Sequence, residues 1–218
     1  MFNNRDYKTN GEDKFFKNIK HNINVIFDVG CSSYSEFIYF NGDVHYFNPV
    51  NEMIENLKKQ KNINRNSYFN NFGLSNENSQ FYYYPRYESC NDRINSCQIS
   101  DENDKILLYI KKGKDYVNNN NIKNIDFLKI YTRGYEINVL QGFEEFLENI
   151  KIIQVEYGIT FLDNNIKLIE VINYLEQNGF YNFSYLTDKG PLFITDFKDH
   201  YQYCNIVCVN KNSDFIPF

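Results

Sequence analysis

Short apolar runs alternate with amphipathic segments along this chain, and that alternation limits the folds it can reach. NVIFDVG (24–30) has the pattern of a buried strand and ends in Asp-x-Gly, a strand running into a tight turn. SYSEFIYF (33–40) then predicts a short helix, with Ser32, Ser33 or Ser35 available to cap it. VHYF (44–47) is the next strand, and Asn48-Pro49 predicts a helix opening with Asn48 as N-cap and Pro49 in the first turn. Val50, Met53, Ile54 and Leu57 follow at i, i+3, i+4 and i+7, one apolar helical face.

The second half repeats the pattern. IDFLKIY (125–131) and KIIQVEYG (151–158) read as buried strands. Val139, Leu140, Phe143, Phe146 and Leu147 have helical spacing, as do Leu168, Val171, Ile172 and Leu175, and Asn178-Gly179 stops the second set. The middle offers strand-like pieces in SYFNNFGLS, QFYYYP and KILLYI, a polar stretch between the last two, and a loop at the Asn118–Asn121 run. NFSYLT and NIVCVN close the chain as an antiparallel strand pair. Repeated β and α units predict an α/β fold: a doubly wound, mostly parallel, Rossmann-like sheet with its ligand site at the carboxyl ends of the strands. Residues 1–22 read as an N-terminal helical extension and 23–218 as one domain, since 218 residues are too few for two ordinary enzyme domains.

Charge and composition narrow the function. Lys and Arg total 23 against 28 Asp and Glu, a net charge of −5 with no basic excess to grip a phosphate backbone, so nucleic acid is not the expected partner. The N-terminus is polar from its third residue, and no apolar run approaches the roughly 20 residues a membrane helix needs. The expectation is a cytoplasmic protein with no signal peptide and no membrane partner. The five cysteines (31, 90, 97, 204 and 208) and three scattered histidines form no zinc-like cluster, so no metal site is expected. Cys204 and Cys208 share a strand face and read as buried thiols. Alanine is absent, while Asn, Ile, Lys, Tyr and Phe abound, as A/T-rich codons favour, so an Ala position filled by Ser or Cys carries little meaning.

Four markers resemble the FkbM-type methyltransferases. IDFLKIYTRGYEINVLQGFEEFL is similar to that family's IDFLKIDVEG-x-E-x-x-VL-x-G segment, FDVGCSSYSEF to its D-V-G-A-N-x-G, VHYFNPV to its V-x-x-FEP, and NFGLSNENSQFYYY to its N-x-x-LSD. They stand in the same order over about residues 23–160. The resemblance implies a class I methyltransferase-like fold, S-adenosylmethionine as cofactor, and methyl transfer to a hydroxyl of a sugar, glycan or small metabolite. It assigns Asp28, Gly30, Cys31, Asn48 and Asn76 to the cofactor. It points to Glu156, at the end of a buried strand, as the base, and Lys129 as a group able to stabilise a developing alkoxide. A purely structural reading stays open for both: a strand lysine paired with a neighbouring acid, and a carboxylate bound by backbone amides.

The departures fall where a cofactor would touch. Tyr34 replaces the second Gly of the first loop, Asn48 the carboxylate of FEP, Tyr131 an Asp and Arg133 a Glu. Codon bias does not predict the charge reversal at Arg133. A second class of function therefore stands beside the enzyme: an inactive pseudo-methyltransferase that keeps the fold as a binding or assembly module for a protein partner. A third reading is a redirected site that takes an anionic ligand through Arg133. Phe81, Tyr82, Tyr83, Tyr84 and Tyr87 suggest either an aromatic wall for sugars or a half-buried strand, and Arg86 and Arg93 adjoin them.

Overall fold

The computed structural model describes residues 2–61, 63–83 and 105–213. An eight-stranded sheet forms its centre. Strands β1 (Val25–Val29), β2 (Asp43–Phe47), β3 (Ser67–Asn70), β7 (Ile125–Ile130) and β8 (Ile150–Tyr157) run parallel, and β9 (Phe180–Tyr185), β10 (Leu192–Phe193) and β11 (Cys204–Asn210) complete it. The order is β10-β9-β11-β8-β7-β1-β2-β3. This is the doubly wound, mostly parallel, Rossmann-like sheet expected from the sequence, with its antiparallel C-terminal pair. The pair stands at one edge of the sheet: β11 lies between β8 and β9, antiparallel to both, and only the two-residue β10 lies outside β9. A small second sheet holds β4 (Gly73–Ser75), β6 (Ile106–Lys112) and β5 (Ser79–Tyr83) in that order.

Each face of the large sheet buries its own apolar layer. On one face Phe27, Leu128 and Ile153 pack under helices α3 (Gly113–Asn119), α4 (Glu136–Gly142) and α6 (Leu168–Gln177), which contribute Val117, Val139 and Val171. On the other, Ile26, Phe127 and Ile152 pack under α1 (Glu12–Ile19) and α2 (Asn51–Lys58), through Phe15, Ile19, Ile54 and Leu57. Alternation along the strands puts a polar row two residues beyond that second layer. Asp28, Lys129 and Gln154 are direct partners across β1, β7 and β8, near the strands' carboxyl ends.

Several predicted helices take other forms. Residues 36–39 make a single turn instead of a helix, with Phe40 N–H bonding the Phe37 carbonyl at 2.9 Å, i to i−3. Phe37, Ile38 and Phe40 are all buried while Tyr39 between them is exposed, so tertiary burial of these three side chains sets the shape of the segment. Helix α2 starts at Asn51 with Val50 in the N-cap position; Asn48 and Pro49 lie before it. The apolar pattern of 139–147 is split between α4 and a 3-10 turn, Glu144–Asn149. Gly142 passes so close to the Ser75 carbonyl that no side chain fits there. The Asn118–Asn121 run begins inside α3, and a short helix α5 (Ile159–Asp163) follows β8. Helix α6 has the predicted buried face, Leu168, Val171, Ile172 and Leu175, and ends before Gly179, whose φ is 85°. Among the described residues no helix is long and apolar enough to cross a membrane.

Candidate functional site

A cleft of about 690 Å³ opens at the carboxyl ends of β1, β2 and β7, with the small sheet as one wall. That volume lies within the roughly 300–1,000 Å³ usual for small-molecule sites. Asp28, Gly30, Cys31, Asn48, Asn76 and Lys129 all line it. Glu156 does not: it is buried near the end of β8, and among the described residues its Oε2 has no hydrogen-bond partner.

The floor of the cleft is built by the polar row. Lys129 Nζ lies 2.8 Å from Glu12 Oε2 and also bonds Glu36 Oε1, while Glu12 Oε2 accepts from Gln154 at 2.7 Å. Asp28 Oδ2 accepts from the Ser35 hydroxyl at 2.6 Å. Three carboxylates thus surround one ammonium. Burial alone would lower the Lys129 pKa, but Glu36, Glu12 and Asp28 outweigh burial and hold it well above the ordinary value. Burial, and then repulsion from Glu36, push Asp28 up to about 7. Glu12, although buried, is held below the usual carboxylate value by Lys129. Sequence reasoning missed Glu12 and Glu36. The one signal was Lys129 itself, a charge within a buried strand that needs a counter-charge, and nothing in the spacing says which acids supply it.

The loops above the floor are fixed by backbone contacts. Gly30 has φ 86°, and a Cβ there would collide with the Tyr131 carbonyl. That close crossing of the β1 and β7 ends requires glycine whatever the cleft contains. Asn48 ties two loops together: its Nδ2 donates to the Cys31 carbonyl at 2.6 Å, and its Oδ1 accepts from Val50 N–H at 2.8 Å. A carboxylate could not make the first of these bonds. The Cys31 thiol is buried and points to the Phe47 carbonyl at 3.6 Å; burial, then Asp28, raise its pKa well above the usual thiol value, so it is an inert packing group. Asn76 donates to Gln141 Oε1 at 3.2 Å and remains exposed.

Glu136 closes the Tyr131–Gly134 loop, accepting from the N–H groups of Thr132 and Gly134 at 2.9 and 2.7 Å. Arg133 within it has φ 55°. Tyr34 stands on the cleft wall with 45% of its surface exposed, and the cleft stays open beside it. Arg5 and Tyr7 of the N-terminal segment, with Tyr203, complete the mouth, and none of the three was expected from sequence. Burial, then Glu136, raise Glu156 to about 8, despite the nearby Arg133 and Arg5. The aromatic run divides as strand alternation demands: Phe81 lines the cleft while Tyr82 is 53% exposed. Tyr84, Tyr87, Arg86, Arg93, Cys90 and Cys97 lie outside the described residues, whereas Cys204 and Cys208 are buried free thiols.

No protein-family model and no curated protein matches the chain. Among solved structures it is similar to a TehB-like SAM-dependent methyltransferase from Corynebacterium glutamicum ATCC 13032 Kitasato, at 12% identity over 90% of this chain and 87% of that one, TM-score 0.45. It is also similar to the plantazolicin methyltransferase BpumL in complex with SAH, at 11% identity over 91% of this chain and 80% of that one, TM-score 0.46.

Proposed function

We propose that the cleft binds S-adenosylmethionine and that the chain is a methyltransferase acting on a hydroxyl of a sugar, glycan or small metabolite. The observation that carries this reading is the charge of the floor. Glu12, Asp28 and Glu36 outnumber Lys129 at the carboxyl ends of β1 and β7, the place where doubly wound sheets take their ligands. Such a floor favours a cationic ligand, and the cofactor, when bound, supplies an electrophilic methyl group on a positively charged sulfur. Asp28, Gly30, Cys31, Asn48 and Asn76 on the walls agree with the cofactor positions that the family resemblance implies. The acceptor hydroxyl would lie toward the wider mouth. Lys129 holds the floor carboxylates in place. Glu156, the base that the family resemblance implies, is not among the residues that line the cleft.

One observation favours a second reading, a cofactor-binding or assembly module without catalysis. Asn48 already engages both ends of its amide inside the protein. Incubating purified protein with methyl-labelled S-adenosylmethionine and a panel of hydroxylated sugars separates the two. Acceptor-dependent formation of S-adenosylhomocysteine supports the enzyme. Tight cofactor binding without turnover on any acceptor supports the module.

A further inference from the structure

We propose that Arg5 and Arg133 form an oxyanion subsite at the mouth of the cleft, selecting acceptors that carry a carboxylate or a phosphate. The proposal rests on the methyltransferase reading for the word acceptor, but the subsite itself is defined by its own residues. Arg5 comes from the N-terminal segment and Arg133 from the loop after β7, and both line the same cleft. The Arg5 guanidinium carbon lies over the Tyr203 ring, 5.5 Å from its centroid, and that of Arg133 over Tyr131 at 5.8 Å. Those two rings are neighbours, with centroids 6.5 Å apart. An aromatic pair thus holds two cations on the lining of one cleft.

The arrangement suits anion capture in three ways. A guanidinium presents five donors in a planar fork that matches carboxylate and phosphate oxygens, enough to serve a protein partner and a ligand together. Arg133 occupies a left-handed backbone conformation that side chains seldom adopt, in a loop pinned by Glu136, so its position is set before any ligand arrives. Burial, then Glu136, raise Glu156, a buried acid near both arginines, to about 8, so this carboxyl offsets little of their charge.

Calorimetric titration of the protein with glucose 6-phosphate, glucuronate and glucose, with and without saturating S-adenosylhomocysteine, tests this. At least one anionic sugar should bind at least about tenfold more tightly than glucose, the size of one charge-assisted contact. The tighter of the two identifies phosphate or carboxylate as the source. Arg5→Gln and Arg133→Gln should each weaken that anion about tenfold, and Arg133→Lys should restore part of it, with S-adenosylhomocysteine affinity unchanged. Equal binding of glucose and both anions overturns the subsite. So does a loss in S-adenosylhomocysteine affinity with anion binding intact, which would assign the arginines to the cofactor. If S-adenosylhomocysteine fails to bind while the arginine-dependent anion binding persists, the methyltransferase reading fails and the subsite stands.

Discussion

Lys129 Nζ lies 2.8 Å from Glu12 Oε2, joining the end of β7 to the first turn of α1. Both side chains are almost fully buried, at 8% and 6% exposure. The N-terminal helix therefore supplies a counter-charge to the floor of the cleft as well as covering one face of the sheet. Removing one member of such a pair leaves a buried charge without compensation.

Lys129→Met should accordingly destabilise the protein by about 3–5 kcal/mol, lowering the melting temperature by roughly 10 °C. Glu12→Gln should cost less, because Glu36 and Asp28 still face Lys129. Urea denaturation of both variants checks the order. Equal stability of Lys129→Met and the parent would contradict the buried network.

Gly30→Ala should destabilise by at least about 2 kcal/mol, since it adds a side chain at a positive φ and against the Tyr131 carbonyl. The loss should appear in denaturation curves without any ligand. A variant that keeps full stability but loses ligand binding would instead mean that this glycine serves the ligand.

Asn48→Asp should lower stability by about 1–3 kcal/mol, because an acceptor replaces the donor to the Cys31 carbonyl. This residue also marks how far the sequence was legible. Strand positions, the parallel core and the face of α6 follow from periodicity, because burial on both sides of a sheet leaves an unmistakable apolar run. A cleft at the carboxyl ends of the strands followed from the fold. What Asn48 does there did not: its bond partners come from a different loop, and no spacing rule connects Cys31 to Asn48. Glu12 and Arg5 were missed for the same reason, since only the folded chain brings the N-terminal segment to β7 and β11. The segment 33–40 looked helical by pattern, but tertiary burial of Phe37, Ile38 and Phe40 reshaped it.

Glu156 gives the pH dependence a sign. Its pKa rises from 4.5 to about 8 on folding, chiefly through burial and then through Glu136, so the folded state holds the proton more tightly than the unfolded one. The associated stability is complete below the unfolded value of 4.5 and is lost as pH rises through 8. Glu156→Gln removes that loss. The variant should melt within about 1 °C of the parent at low pH, and several degrees above it at the alkaline end of the window, as a few kcal/mol would produce. A melting difference independent of pH would contradict the buried, protonated carboxyl.

The central claim is that the cleft holds S-adenosylmethionine, and calorimetric titration of the purified chain with that compound tests it most directly. The expected result is saturable binding at one site per chain, abolished by Asn76→Trp, which places a large ring in the cleft from an exposed position and leaves the core untouched. No heat of binding and no thermal stabilisation at millimolar S-adenosylmethionine, where a ligand at a hundred times its Kd adds ~2.7 kcal/mol, would contradict it. So would binding that survives Asn76→Trp undiminished.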